Sequence, residues 1–405
     1  MATDLIDFTN CEKTKKNYEG ANGSKICIKY NGELYMLKFP PAANRNKDLS
    51  YTNGTVSEYL GCHILESLGF ETQETILGTY NKNGKEKIVV ACKDFTENNR
   101  YTVQPFSSLK NTIIDSGHNG TGTELSEVLD AIDRQDSYEP GYLKNYFWDL
   151  FIGDALIGNW DRHNGNWASL YDSNTDTVKL APVYDCGSSM YPSADIEIMK
   201  SVISDREQLL FRVYEIPTSA LKLNGNKINY FKFISSLEND DCNAALKRIY
   251  PRIDIKKINK IIDETPLISD IQKNFFKTIV NARRELILEY SYNKLLKREQ
   301  SIGLSETQDN LNYESFGKEY LNKVFEFTNQ MTIKEAAKKA HDELVNINPY
   351  EKIVRQNMLN KYLNSLGIKN NNDFAEYVKN NRQKSAEKKS VQRSRNKDDF
   401  SGIGY

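Results

Sequence analysis

Between Leu156 and Gly187 the chain sets two acids and an amide in an order with chemical meaning. Asp161 is followed five positions later by Asn166, and Asp185 opens an Asp-x-Gly triplet with Cys186 and Gly187. Phosphoryl transfer to a hydroxyl needs one carboxylate to accept or orient the hydroxyl's proton. It also needs an amide oxygen and a second carboxylate to hold the Mg²⁺ ions that bridge the nucleotide phosphates. Mg²⁺ is a hard cation that prefers oxygen, so Asn166 with Asp185 is a suitable ligand pair and His or Cys would not be. Asp-x-x-x-x-Asn with a downstream Asp-x-Gly is the kinase catalytic-loop template. His163, two residues past Asp161, is a candidate for supporting the loop or developing charge, and a second candidate for the proton.

These residues need elements to position them. Tyr142 to Gly158 is an apolar, aromatic-rich run of helical length ending at glycine, and Val178 to Val183 reads as a strand. A buried helix is thus expected to deliver the Asp161 loop and a hairpin to deliver Asp185. Upstream, Ile26–Tyr30 and Leu34–Phe39 flank Asn31-Gly32, a hairpin pattern. The stretch Gly20-Ala21-Asn22-Gly23-Ser24-Lys25 at its start can present backbone N–H groups to phosphates, because glycine permits close approach; an ordinary turn is the plainer reading. Lys38 lies inside an apolar strand, where an unpaired ammonium is expensive, so nucleotide phosphates and a helix carboxylate are its expected partners. The helix pattern from Thr55 to Gly69 offers Glu58, which also fits a capping box with Thr55; Gly69 fits the helix stop.

At this point a family is recognisable. Ile157-Gly-Asn-Trp-Asp161-Arg-His163-Asn-Gly-Asn166 and Leu180-Ala-Pro-Val-Tyr-Asp185 closely resemble HipA-like kinases, with similarity extending over approximately residues 18 to 300. That family has a protein-kinase-like fold, distantly related to the phosphatidylinositol kinases, which share the Asp-Arg-His-x-x-Asn order. Its better-known members phosphorylate proteins on serine or threonine, and several are toxins of toxin–antitoxin pairs. The resemblance implies a phosphate loop at Gly20 to Lys25, one residue longer than the family's Gly-Ala-x-x-Lys. It also implies a hinge at Cys92, Lys93 and Asp94 whose backbone meets adenine, although Cys92 alone reads as a buried small hydrophobe. Full-length members carry a further subdomain before the phosphate loop. Here that loop begins at residue 20, so family-type antitoxin and dimer contacts do not carry over.

Bulk properties bound the rest. A chain of 405 residues is too long for one simple core. Its net charge of −1 excludes a whole-chain affinity for nucleic acid or membrane. Six cysteines without Cys-x-x-Cys spacing argue against zinc ribbons and a disulfide scaffold, and for reduced thiols in a cytoplasm. The acidic N-terminus lacks a signal peptide's apolar core, and no run is long enough to span a bilayer. Residues 1 to 17 read as peripheral, 187 to 217 as the activation and substrate-facing segment with Ser188, Ser189 and Tyr191, and 300 to 320 as a polar joint. Helices are expected over Glu124–Ile132 and Ile228–Leu237, from a Thr332–Glu335 capping box through Leu344, and over Tyr350–Leu366. The basic run Lys379–Lys397 reads as a solvated tail, with nucleic-acid contact as the sharper alternative.

The expected architecture is therefore α+β and two-lobed, protein-kinase-like: a β-rich N-lobe over residues 1–95, a helical C-lobe over 96–300, a helical extension over 301–378 and the tail over 379–405. The expected function is ATP- and Mg²⁺-dependent phosphorylation of a protein serine or threonine in the cytoplasm, with no membrane role. Autophosphorylation is expected at Ser24 or near Ser188, and an antitoxin is the partner the family suggests. A lipid or small-molecule kinase is the rival favoured by the Asp-Arg-His order. A silent nucleotide-binding adaptor is opposed by the complete set Lys38, Asp161, Asn166 and Asp185.

Overall fold

Apolar residues alternate along Lys25–Tyr30 (β2) and Glu33–Lys38 (β3), which pair antiparallel around Asn31-Gly32. Both turn residues have positive φ, the backbone that matches the twist of the flanking strands. In this computed structural model, residues 5–18, 24–40, 53–114, 119–139, 141–310, 313–346 and 349–381 are described. Glu12–Lys13 (β1), Thr75–Lys82 (β4) and Lys85–Lys93 (β5) complete a five-stranded sheet in the order β1-β2-β3-β5-β4. Helix α1, Gly54–Ser67, packs on β4 and β5. The N-terminal residues are less peripheral than their polarity suggests. Phe8 is fully buried beside Leu37 and Val89, and its N–H donates to the Thr79 carbonyl at 2.9 Å. Gly78 makes room for it: a Cβ there would lie 2.4 Å from the Ile6 carbonyl oxygen.

The chain then becomes mainly helical. Tyr101–Pro105 (β6), Ala168–Asp172 (β7) and Thr177–Leu180 (β8) form a small sheet; α2 (Phe106–Ile113) packs on β6, and α3 (Leu125–Arg134) and α4 (Tyr142–Ile157) follow. Helix α4 is apolar on nearly every side, so it is buried on nearly every side. Its Trp148 stacks on Phe233 with ring centroids 5.8 Å apart, and Gly158 ends the helix at φ +64°. Next come α5 (Ile196–Ser204), α6 (Arg206–Tyr214), the hairpin Thr218–Leu223 (β9) and Asn226–Asn229 (β10), then α7 (Tyr230–Ser236) and α8 (Asp240–Ile249). Helices α9 (Ile255–Glu264) and α10 (Asp270–Arg283) lead through a π turn at Arg284–Glu289 into α11, Tyr290–Asn310. The chain divides into two compact units, Met1–Leu295 and Leu296–Tyr405. In the second, α12 (Tyr313–Phe327), α13 (Ile333–Leu344) and α14 (Pro349–Ser365) bury Tyr320, Val324, Ala336 and Leu359 in a core of their own. The expected Thr332–Glu335 capping box is present.

Three expectations are corrected. Ile228 belongs to β10, where Asn229 caps the helix that follows, so that helix begins two residues later than its apolar pattern suggests. Residues 300–310 continue α11 and Tyr313 opens α12, because polar residues such as Glu and Gln still have good helix propensity. Finally, of the hydroxyls expected to open the substrate-facing segment, Ser189 and Tyr191 are buried and Ser188 is partly exposed, and helices occupy 196–204 and 206–214. All six cysteines are free thiols. Among the described residues no helix is long and apolar enough to cross a membrane.

Helix α1 approaches Cys186 through Gly61, where a Cβ would lie 2.6 Å from the Cys186 Cβ. Gly61→Val should therefore lower the unfolding free energy by about 1–3 kcal/mol through overpacking, read from the urea midpoint. An unchanged midpoint would show that the helix can shift at no cost.

Candidate active site

A cavity of about 830 Å³ opens between the five-stranded sheet and the helical part. Lys25, Lys38, Glu58, Asp161, Asn166 and Asp185 all line it. Lys38, at the end of β3, is held between two carboxylates: its Nζ is 3.1 Å from Glu58 Oε1 and 3.1 Å from Asp185 Oδ1. Burial alone would push this lysine down. The Glu58 and Asp185 charges outweigh it and hold Lys38 well above the ordinary lysine range. Lys25 stands directly across the ladder from Lys38, so both side chains leave the same face. Burial and then the Lys38 charge hold Lys25 below the usual range. Like charges opposite one another on a sheet repel. A polyanion between them would remove that repulsion.

The opposite wall is the loop after α4. The Asp161 N–H donates to Asn159 Oδ1 at 3.0 Å. The Asp161 carbonyl accepts from the Asn166 amide at 2.7 Å and from the His163 N–H at 2.8 Å. Because the Asn166 amide nitrogen is engaged there, its Oδ1 is the atom left for a cation. His163 Nδ1 accepts the Gly165 N–H at 3.0 Å, which puts the proton of a neutral ring on Nε2. That atom is then a donor, which suits charge support better than proton abstraction.

Beneath the loop lies a group that sequence reasoning missed. Arg162 is buried, and its Nε and Nη2 meet Asp154 of α4 at 3.1 and 3.2 Å. The same guanidinium donates to the carbonyls of Asn166, at 2.9 Å, and Tyr184, and to Cys186 Sγ at 3.3 Å. Asn159 Nδ2 donates to Asp154 at 3.0 Å, and the Tyr230 hydroxyl donates to the Asn159 carbonyl at 2.6 Å. Burial pushes Asp154 up, with Arg162 pulling against it. The available signal was Asp154, an acid within the most apolar stretch of that run, Leu150–Ile157.

Charge distribution separates the two reacting-site acids. Asp185 sits in the left-handed region at φ +56°, and the Lys38 charge holds its carboxyl below the ordinary range against the opposing effect of burial. Asp161 is raised, first by burial and then by Asp185, with His163 opposing. Among the expected hinge residues, Asp94 lines the cavity but Cys92 and Lys93 do not. Cys92 is fully buried, with burial pushing its thiol up, and it pairs with β3 and β4 on both sides. The Lys93 N–H donates to the Glu74 carbonyl and the Asp94 N–H to the Leu34 carbonyl. The buried Asp94 carboxylate instead anchors the N-terminal segment, receiving the Tyr18 hydroxyl at 2.7 Å and Lys16 Nζ at 2.6 Å. Gly20, Ala21, Asn22 and Gly23 lie outside the described residues, as does the basic run from Arg382. Ser24 is described and 3.4 Å from Lys82 Nζ. Glu58 is not part of a capping box: Asn53 is the N-cap and Glu58 turns to Lys38, because an opposite charge nearby is worth more than one terminal N–H.

Residues 13–265 match the family model of the HipA-like C-terminal domain. The chain belongs to that family. A HipA-like relative, the serine/threonine-protein kinase CtkA of Helicobacter pylori, is 50% identical over 294 residues, spanning 72% of this chain and 89% of the relative. The crystal structure of an H. pylori proinflammatory kinase CtkA superposes with a TM-score of 0.67 at 49% identity, covering 72% of this chain and 99% of that one. HipA of Shewanella oneidensis MR-1, solved with HipB and operator DNA, gives a TM-score of 0.43 at 14% identity over 69% of this chain and 67% of that one, too distant to carry inference.

The donor set fits a metal–nucleotide. Asn166 and Asp185, which both line the cavity, would offer hard oxygen ligands few enough to leave the remaining positions to phosphates and water. Two facing lysines supply the anion's counter-charge. Gly187 keeps the space between Glu58 and Gly54 open, since a Cβ there would lie 3.1 Å from Glu58 Oε2.

Removing one partner of a buried ion pair strands the other charge. Asp154→Ala should cost about 3–5 kcal/mol of unfolding free energy by equilibrium denaturation. A loss under about 1 kcal/mol would place the pair in the surface class.

Proposed function

We propose that this HipA-like protein is a protein kinase that transfers phosphate from Mg-ATP to serine or threonine, within a two-lobed, kinase-like unit whose lobes meet near Phe95. The observation that carries this reading is Lys38 at 3.1 Å from both Glu58 and Asp185, in one cavity with Asp161 and Asn166. A lysine–helix-glutamate pair and a metal-binding aspartate must both be in place for phosphoryl transfer in protein kinases. The naming of the H. pylori relative as a serine/threonine kinase supports a hydroxyl of a protein as the acceptor. Residues to about 95 would then be the ATP-binding lobe and the following helices, to about residue 300, the catalytic one.

Mg-ATP, when bound, supplies the phosphoryl group and the neutralisation of charge on its phosphates. Lys38 and Lys25 hold the phosphate oxygens, together with the Gly20–Ser24 loop on the family reading. Asn166 Oδ1 and the Asp185 carboxylate would hold the metal. Asp161 accepts the proton of the incoming hydroxyl, and its raised affinity for a proton makes it a better base. His163 Nε2–H supports charge at the acceptor side.

Three measurements test this. Asp161→Asn is nearly isosteric, so ATP-induced stabilisation should survive while transfer of labelled phosphate to the chain itself, to lysate proteins or to lipids falls on the order of 10²–10⁴-fold. Undiminished transfer would move the base elsewhere. Label entering lipid alone would replace the protein acceptor. ATP should also raise the melting temperature far more with Mg²⁺ than with EDTA, and Asp185→Ala should remove that difference. An equal shift in chelator would remove the metal assignment. Finally, activity must fall as pH drops through the Asp161 pKa. Because that carboxyl is raised from 3.8, the acid limb of kcat/KM should have its midpoint above 3.8. A limb below that value would dissociate Asp161 from the rate.

A further inference from the structure

The loop that carries Asp161 is tied at two points to the β9–β10 hairpin and its supports. On one side the Tyr230 hydroxyl, just past β10, donates to the Asn159 carbonyl at 2.6 Å. On the other, the buried Asn164 amide donates to the carbonyls of Gly120 and Gly122, each at 2.8 Å. The buried Lys110 fixes Gly122 in turn, its Nζ donating to the same carbonyl at 2.6 Å. The next two residues hold the hairpin. The Lys222 N–H donates to the Thr123 carbonyl at 2.8 Å, and the Glu124 carboxylate accepts the turn N–H groups of Asn224 and Gly225 at 2.7 and 3.0 Å. The hairpin is thus a fixed neighbour of the reacting loop.

Leu221 and Ile228 bury one face of this hairpin, so the residues beside them face outward. These are Lys222 and Lys227, exposed and directly opposite one another on the ladder. Like charges in that arrangement repel, and an anion above them relieves the repulsion. No ion pair holds either ammonium among the described residues. Lys227 also acts on Asp161. Burial raises that carboxyl and His163 opposes it most, but Lys227 opposes it more than Arg162, the adjoining residue. Such an attraction falls with distance, so the Lys227 ammonium lies towards the carboxylate that meets the acceptor hydroxyl. The nucleotide phosphates have Lys25 and Lys38 on the sheet side of the cavity. We propose that Lys227 is a specificity-determining residue for the protein substrate, its ammonium pairing with an Asp or Glu carboxylate close in sequence to the acceptor serine or threonine. Lys222 extends the same basic patch. This inference rests on the kinase reading of the neighbouring cavity.

The test supplies the full chain and Mg-ATP with serine-centred peptide libraries in which one flanking position is fixed as Asp, Ala or Lys. At one such position or more the native protein should favour Asp over Ala by about two- to fivefold, the size of an exposed ion pair. Resynthesised with and without that Asp, the preferred peptide should show the difference in KM rather than kcat, because the pair forms before the reaction. Lys227→Ala should abolish the preference, and Lys227→Glu should turn it towards Lys. Lys227 is exposed, so neither variant should shift the melting temperature. No acidic preference in the native protein, or one that both variants retain, would overturn the assignment and leave the kinase reading intact. So would a loss confined to Mg-ATP affinity by calorimetry, which would give Lys227 to the nucleotide. If no library is phosphorylated, transfer to lysate proteins becomes the readout, and transfer that Lys227→Glu leaves undiminished would overturn the assignment. No transfer by the native protein to libraries or lysate would overturn both readings.

Discussion

A guanidinium can be buried only if its donors find acceptors and its charge finds a counter-charge, and the Arg162–Asp154 pair meets that requirement at the centre of the helical part. The consequence is geometric. The five donors of Arg162 reach α4 through Asp154, the loop through the Asn166 carbonyl, and the segment before Gly187 through Tyr184 and Cys186. The two stretches of chain that carry Asp161, Asn166 and Asp185 are thus tied, with the helix before them, to one planar cation. Helix α4 can anchor it because its surroundings are packed aromatic rings, which exclude water and make each of those bonds stronger than it would be at the surface.

Across the cavity the organisation is electrostatic. Lys38 is held by carboxylates from two different elements, one on α1 and one on the segment after β8. Its position therefore depends on how closely α1 approaches that segment, which Gly61 and Gly187 permit by having no side chain. Asp185 and Asp161 are both carboxylates in the same cavity, yet Lys38 lowers one and burial raises the other. One acid is suited to remain charged beside a metal and the other to take a proton, a division of labour set by neighbours rather than by residue type.

The N-terminal segment adds a wall that its composition conceals. Lys16 and Tyr18 converge on Asp94, and Thr96 donates to the same carboxylate through both its N–H, at 2.8 Å, and its hydroxyl. These bonds hold Asp94 below the ordinary range although burial opposes them. Asn17 and Tyr18 consequently line the cavity. A stretch of polar residues becomes structural because it is pinned at one acid and by the burial of Phe8.

Local chemistry was legible in the amino-acid order. Asp161, Asn166 and Asp185 are identifiable from type and spacing, α4 from its apolar run and closing glycine, the β2–β3 hairpin from Asn31-Gly32, and the Thr332 cap from Glu335 three residues on. Each of these depends on residues close in the chain, where period and capping chemistry act directly. Contacts between distant segments were not legible. Lys38 meets Asp185 across 147 residues, Gln73 meets Lys93 across 20, and Tyr18 meets Asp94 across 76. Sequence alone left Glu58 open between cap and lysine partner, grouped Cys92 and Lys93 with Asp94 although only Asp94 of the three lines the cavity, and gave no role to Asp154. Those outcomes were decided by burial, because only the packed structure determines which polar groups lose water and must find one another.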